Sequence, residues 1–166
     1  MSATQNQVPV PSSPCHPMPA RIARALSALT LLAVGGTLVA PAAPEAHAAP
    51  AAAGKALKVA ASKKGSPYQW GAAGPHRFDC SGLTLYSYKR AGKKLPRTAQ
   101  GQYNTTRRVA KSDRRRGDLV FFHGRGGVYH VGIYAGNNRI WHSPKTGSWV
   151  KLDRIWTRSV SYGRVR

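Results

Sequence analysis

The sequence predicts an α+β domain in which helices come first and an antiparallel sheet follows. Apolar residues in the region 54–106 recur at helical spacing, with capping residues before them and glycines after them. Residues 118–165 instead form short segments rich in β-branched and aromatic residues, separated by Gly, Asn and Pro. The 166 residues show no internal repeat and no second domain.

The first 48 residues predict a secretory signal peptide. Arg21 and Arg24 precede an apolar run at residues 25–40, and the segment ends in the small-residue pattern Ala-His-Ala at 46–48. A membrane anchor is the alternative. The run contains only 16 residues and includes a Gly-Gly pair, whereas a spanning helix needs about 20. We therefore expect a secreted protein, extracellular or associated with the cell wall, without stable membrane insertion.

A short amphipathic helix is predicted at residues 54–65, where Leu57 and Val59 lie among lysines and a glycine ends the segment. The residues before it, 49–54, form a short Ala/Pro-rich tail in this interpretation. The folded domain is then expected to span residues 55–166.

A second helix is predicted to begin at Cys80, because Asp79 is a good N-cap and Gly92 a good stop. A third short helix is predicted within residues 95–106, starting with Pro96. After a charged turn, the chain changes to strand-like composition. Strands are predicted at 118–123, 129–135, 139–143, 148–152 and 159–165.

The composition is strongly basic, with 26 Lys and Arg against 5 Asp and Glu and a formal charge of +21. Such a surface attracts acidic polymers, which include nucleic acid, anionic lipid and an anionic cell wall. The sequence has no base-reading motif and no aromatic stacking platform, so specific binding to nucleic acid is not expected. Solubility alone is the simpler explanation of the charge.

Cys80 is the only cysteine after the predicted signal peptide, since Cys15 lies within it. A thiol at a helix N-terminus is favoured as thiolate by the helix dipole, and the nearby backbone N–H groups can stabilise an oxyanion. Ser81 and Gly82 are small and would leave room for a substrate. A buried cysteine that only packs at a helix start is the alternative.

Two histidines are candidates for the base that a cysteine nucleophile needs. His130 starts one predicted strand and His142 ends the next, and a hairpin through the turn Ala-Gly-Asn-Asn-Arg brings them side by side. His130 would then act as the base and His142 would orient it. Metal binding is the alternative, but one Cys and two His at these separations do not match a zinc finger, and no metal is expected.

These segments resemble the NlpC family of secreted bacterial cell-wall cysteine peptidases, which have a papain-like fold. The resemblance implies N-terminal helices, with the nucleophile at a helix N-terminus, packed on a five- to six-stranded antiparallel sheet. It also implies that Cys80 is the nucleophile, His130 the general base and His142 the polar residue that orients this base. The matching segments are GSPYQWG (65–71), FDCSGL (78–83), LPRTAQGQ (95–102), RRGDLVFF (115–122) and HVGIYAGNNRIWHS (130–143).

The resemblance implies further roles around the thiol. Tyr68 matches a tyrosine that lines the site near the oxyanion, and Asp79 and Ser81 match positions that contact substrate. Arg97 and Asp118 match motif residues that we interpret as structural, at a helix start and a strand start.

The activity implied by the resemblance is hydrolysis of peptidoglycan stem peptides, between D-γ-glutamyl and a diamino acid, without a cofactor. The protein is expected to act as a monomer and to bind anionic cell-wall polymers through its basic surface. Two alternatives remain open. One is a catalytically silent wall-binding module, and the other is an amidase, an acyltransferase or an antibacterial effector on the same fold.

Overall fold

The computed structural model describes residues 48–166, and the predicted signal peptide, apart from Ala48, lies outside the described residues. The elements of this region are α1 (Ala48–Ser62), α2 (Cys80–Arg90), α3 (Ala99–Thr105), β1 (Arg107–Val109), β2 (Leu119–Gly124), β3 (Gly127–Gly136), β4 (Arg139–His142), β5 (Lys151–Arg154) and β6 (Val160–Arg164). A short 3₁₀ helix, Lys111–Asp113, follows β1. Helices followed by strands confirm the predicted α+β class.

The six strands form one antiparallel sheet in the order β1-β6-β2-β3-β4-β5. Its helix-covered face holds the main core, in which Leu57 of α1 and Leu83 of α2 pack with Phe121 and Ile133 of the sheet. Alternate side chains point to opposite faces of a strand. A smaller cluster around Phe122 therefore lies on the other face.

The start of α2 is held by a cap and by a close backbone contact. The Asp79 carboxylate accepts a hydrogen bond of 2.7 Å from the backbone N–H of Gly82, as an N-cap should. A Cβ atom at Gly82 would lie 2.1 Å from the carbonyl oxygen of Ala72. The prediction that Gly82 leaves room for a substrate is therefore wrong, because this glycine allows α2 to pack against the preceding loop.

Helix α1 begins at Ala48, before the predicted start at Gly54. The segment 49–54, which was predicted as a tail, therefore lies within the helix. Its alanines have the highest helix propensity of all residues, which explains the extension.

Several other boundaries differ from the prediction. Helix α3 begins at Ala99 with Thr98 as its cap, so that Pro96 precedes the helix. Strand β1 was not predicted, because three residues with two arginines carry no strand pattern. Strand β5 ends two residues later than predicted, at Arg154, and this shift brings Asp153 into the sheet.

Candidate active site

Cys80 lies where the start of α2 meets the middle of the sheet. Backbone N–H groups of Val131, on β3, and of Ser81 donate hydrogen bonds to its sulfur. The thiol is partly buried and forms no disulfide. A cleft of about 530 Å³ opens beside it, and Trp70 and Tyr129 are among the residues that line this cleft. The nucleophile predicted from the sequence is thus within reach of a ligand that enters this cleft.

The two predicted histidines are in direct contact. The Nε2 atom of His130, on β3, lies 2.9 Å from Nδ1 of His142, on β4. Both side chains are buried, with 5% and 1% of their surfaces exposed. The rings meet edge to face, with centroids 5.1 Å apart and an interplanar angle of 83°. The hairpin therefore brings His130 and His142 together, as its register predicts.

A third polar residue continues this row of contacts. The Nε2 atom of His142 lies 3.0 Å from Oδ2 of Asp153, on β5. Asp153 also forms a 3.0 Å ion pair with Lys151. Since β3, β4 and β5 are adjacent in the sheet, the three side chains form a row that runs from β3, whose Val131 backbone contacts the thiol, to the edge strand β5.

Gly132, which has no side chain, makes room for the histidine pair. A Cβ atom at Gly132 would lie 2.9 Å from the Ile140 side chain and 3.2 Å from Cβ of His142. Gly132 is two residues after His130, on the same face of β3. A larger residue there would push His142 away from its neighbour.

An aromatic side chain covers the imidazoles on the face of the sheet opposite the helices. Trp156, in the loop after β5, stacks on Phe122 with ring centroids 4.2 Å apart. Its ring also lies 5.7 Å from that of His130 and 5.4 Å from that of His142. Trp156 remains half exposed, so it separates the histidine pair from solvent.

The site favours uncharged forms of the thiol and the base. Burial, and then the nearby His142, lower the pKa of His130 to about 3. Burial raises the pKa of the Cys80 thiol, and the Asp79 carboxylate raises it further, against the hydrogen bonds to its sulfur. Burial and the Asp79 carboxylate therefore oppose, in the resting site, the thiolate that the helix dipole favours.

The pKa of His142 is also below its usual value, because burial outweighs the opposing effect of Asp153. The pKa of Asp153 is lowered, since hydrogen bonds from His142 and Lys151 outweigh its burial. Asp153 is therefore a carboxylate at neutral pH, beside an uncharged imidazole.

Asp79 and Ser81, which are buried, and the partly exposed Arg97 form a polar cluster beside the thiol. The Arg97 guanidinium forms an ion pair with both oxygens of the Asp79 carboxylate and donates a 3.0 Å hydrogen bond to Oγ of Ser81. Arg97 also lines the cleft next to Cys80. The prediction of a purely structural Arg97 at a helix start missed this position, although a buried acid in a basic chain is a signal for an arginine partner.

Tyr68 lies close to this cluster. Burial raises the pKa of its phenol, followed by the nearby Cys80 and Asp79. This proximity agrees with the expected place of Tyr68 near the thiol, and its role at the oxyanion stays a prediction. Asp118, by contrast, is buried in an ion pair with Arg164, which fits the structural role expected for it.

The remaining histidines and the metal alternative lie outside this arrangement. His123 contacts Oγ of Ser161 at 2.7 Å, and His76 lies in an exposed loop. Within residues 48–166, no group of three or more His, Cys, Asp or Glu side chains is placed to hold a metal ion. In the same region, no helix is long and apolar enough to cross a membrane.

A thiol at a helix start, beside a histidine pair on an antiparallel sheet, defines a papain-like α+β domain with a cysteine–histidine site. The NlpC/P60 family model matches residues 65–163. The chain belongs to this family.

Relatives and solved structures agree with this assignment. A probable endopeptidase of Corynebacterium glutamicum is 52% identical over 103 residues, which cover 61% of this chain and 48% of that protein. The bifunctional muramidase/DL-endopeptidase CwlT of Bacillus subtilis is 42% identical over 120 residues, covering 66% of this chain and 36% of that protein. The murein DD-endopeptidase MepH of Escherichia coli is 42% identical over 111 residues, covering 61% and 41%.

The structure of the resuscitation promoting factor interacting protein RipA superimposes with a TM-score of 0.66 and 33% identity, covering 74% of this chain and 66% of that one. The chain spans about half or less of the length of the curated relatives described above.

Proposed function

We propose that this protein is a secreted cysteine endopeptidase that hydrolyses peptidoglycan stem peptides. The observation that carries the proposal is the contact of a helix-start thiol with β3, where the buried His130 contacts the buried His142. The open cleft beside the thiol supports access for an extended peptide. The names of relatives, which include a DL-endopeptidase and a murein DD-endopeptidase, support the substrate class.

In the proposed reaction, Cys80 attacks the carbonyl carbon of the scissile amide while its proton passes to the free ring nitrogen of His130. The C–S bond forms as the carbonyl π electrons move to oxygen, and N–H groups at the start of α2 stabilise this oxyanion. When the intermediate collapses, the C–N bond breaks and His130 gives the proton to the leaving amine. An acyl thioester remains on Cys80.

Water completes the reaction. It attacks the thioester carbonyl and gives a proton to His130, so that a second tetrahedral intermediate forms. The C–S bond then breaks, the carboxylic acid leaves, and the proton returns to sulfur. Because burial opposes charge on both the thiol and the imidazole, we expect each proton transfer to accompany formation or loss of the C–S bond.

We assign the cleaved bond as the D-γ-glutamyl–diamino acid bond, which is a D,L bond. The relatives are named for two different bonds, so the experiment must separate them. Purified protein is incubated with muropeptides that carry diaminopimelate or lysine, with and without D,D cross-links, and the products are identified by mass spectrometry. New termini after D-glutamate support the assignment, and cleavage only of the cross-link contradicts it.

The matched control is Cys80→Ala, which removes the nucleophile and leaves the cap and the core of α2 intact. We expect complete loss of hydrolysis with an unchanged circular dichroism spectrum. Retained hydrolysis would refute the role of Cys80. If the unsubstituted protein cleaves no muropeptide although its thiol is alkylated, the wall-binding module or the other amide substrates become the better explanation.

We further propose that the basic surface holds the enzyme on anionic cell-wall polymers after secretion. Residues 49–166 carry 24 basic and four acidic side chains. Three of these carboxylates, those of Asp79, Asp118 and Asp153, already form ion pairs within the domain. Most of the basic groups therefore have no internal acidic partner, and a polyanion can neutralise them.

A further inference from the structure

We propose that Asp153 is a positioning residue that sets the direction of the proton chain through His142 and His130. The inference rests on the proposed function of the Cys80 site and adds to it a fourth residue, which acts through the histidines without touching the substrate. It follows from three adjacent strands that align Asp153, His142 and His130 by contacts of 3.0 and 2.9 Å.

The direction of the chain follows from donor and acceptor chemistry. An ionised carboxylate only accepts hydrogen bonds. Nε2 of His142 must therefore carry the proton that it donates to Asp153. In the neutral imidazole, Nδ1 of His142 is then an acceptor, and Nε2 of His130 must donate to it. The remaining nitrogen of His130, Nδ1, is left with a lone pair that can take the proton of Cys80.

Without the carboxylate, the hydrogen bond between the two histidines has no preferred donor. His142 could equally carry its proton on Nδ1 and donate it to Nε2 of His130. His130 would then carry its own proton on Nδ1, and this form cannot accept a proton from the thiol. Asp153 thus makes the base available, because it excludes the reversed tautomers.

The surroundings of the pair strengthen this effect. His142 is buried, and the charged or titratable groups that contribute to its pKa are Asp153 and Lys151 of β5, while His130 of β3 contacts it directly. Trp156 covers both rings. Asp153 is the acceptor that Nε2 of His142 contacts, so loss of its carboxylate removes the acceptor that fixes the tautomer.

The direct test is the tautomeric state of both histidines in the unsubstituted protein. Histidine labelled with ¹⁵N distinguishes a protonated ring nitrogen from an unprotonated one by its chemical shift. At pH 7 we expect Nε2–H in both His130 and His142. An Nδ1–H form of His142 would overturn the proposal, and this measurement needs neither a variant nor a substrate.

A second test uses Asp153→Ala and the reactivity of the thiol. The full-length protein carries Cys15→Ser, so that Cys80 is its only cysteine, and the rate of alkylation by iodoacetamide is measured across pH. We expect Asp153→Ala to lower this rate at pH 7 about tenfold or more, with kcat falling and KM unchanged. The acid limb of the pH profile of alkylation should move to lower pH, because in the variant no carboxylate raises the pKa of His142.

Lys151→Ala is the matched control. This substitution removes the ion pair between Lys151 and Asp153 but keeps the Asp153 carboxylate. The Nε2–H tautomers of both histidines should therefore persist. Unchanged tautomers and an unchanged alkylation rate in Asp153→Ala would refute the proposal. If the tautomers and the alkylation rates behave as expected but no muropeptide is cleaved, the positioning role stands and the proposed substrate is wrong.

Discussion

At the scale of single residues, the site shifts the pKa values of its thiol and of its imidazole toward the uncharged forms. The pKa of Cys80 is raised by burial and by Asp79, and that of His130 is lowered to about 3. Papain-like chemistry is often described as starting from an ion pair, but here burial opposes charge on both partners. The neutral His130 must then carry its proton on Nε2, so that Nδ1 can accept the thiol proton. The neighbours of His130 decide which of the two nitrogens is protonated.

The two histidines should differ in their effect on catalysis. His130→Ala removes the proton acceptor, and we expect almost no residual hydrolysis. His142→Ala leaves the base in place but without its partner, so weak residual activity should remain, and it should exceed that of His130→Ala by about tenfold or more. Initial rates on one muropeptide check this. Equal losses would indicate that both imidazoles share the proton transfer.

Buried neutral histidine also predicts how stability depends on pH. The folded pKa of His130, about 3, lies below the unfolded value of about 6.5, so the unfolded state binds a proton first as pH falls. The contribution of His130 to the free energy of unfolding is fully present above pH 6.5 and is lost as the pH falls towards 3. Well below pH 6.5, the free energy of unfolding should fall by about 1.4 kcal/mol per pH unit from this group.

Urea unfolding at pH 7, 6 and 5 measures this slope, and His142, whose pKa is also lowered, adds to it in the same direction. The His130→Gln variant is the control, since it removes one titrating group and should flatten the slope. An equal slope in the variant would contradict the low pKa of His130.

At the scale of elements, the position of the thiol depends on how closely α2 approaches the loop before it. Gly82→Ala would place a methyl group against the carbonyl oxygen of Ala72, at 2.1 Å without relaxation. Such overpacking costs about 1–3 kcal/mol or more. We expect a lower midpoint of urea unfolding and weaker hydrolysis, because the start of α2 must shift together with Cys80.

Gly54→Ala is the matched control on another helix. A Cβ atom at Gly54 meets nothing within 4 Å, and alanine favours a helix by about 1 kcal/mol over glycine. This variant should be as stable as the unsubstituted protein or more stable. If both substitutions raise the midpoint, the close contact of Gly82 with Ala72 is not a constraint on the fold.

The sequence was sufficient to predict the parts of the site that depend on local signals. Asp79 and Gly92 bound α2, and the hairpin turn aligns His130 with His142. Asp153 was missed, because its contact depends on the register of β5 against β4, and the eight residues between these strands, although they include a turn at 145–148, do not join them as a tight hairpin whose register the sequence shows. Trp156 was missed for the same reason, since nothing local shows which loop covers a sheet face.

At the scale of the whole molecule, basic side chains far outnumber acidic ones, and three of the few carboxylates are already used in ion pairs within the domain. Asp118 is buried with Arg164, Asp79 with Arg97, and Asp153 contacts His142 and Lys151. Most of the other lysines and arginines have no carboxylate in the domain to neutralise them. The excess of 24 basic over four acidic side chains in residues 49–166 is therefore available to an external polyanion.

Binding of the protein to cell walls should consequently depend on salt. The Cys80→Ala variant is used, so that the wall is not degraded, and the bound fraction is measured by sedimentation with purified walls between low and high ionic strength. Because the screening length falls from about 30 Å at 0.01 M salt to about 10 Å at 0.1 M, we expect binding to weaken steeply over this range. Walls stripped of their phosphate-containing polymers should bind less at every salt concentration. Binding that is independent of salt would instead place retention in the substrate cleft around Cys80, and the basic surface would then serve solubility alone.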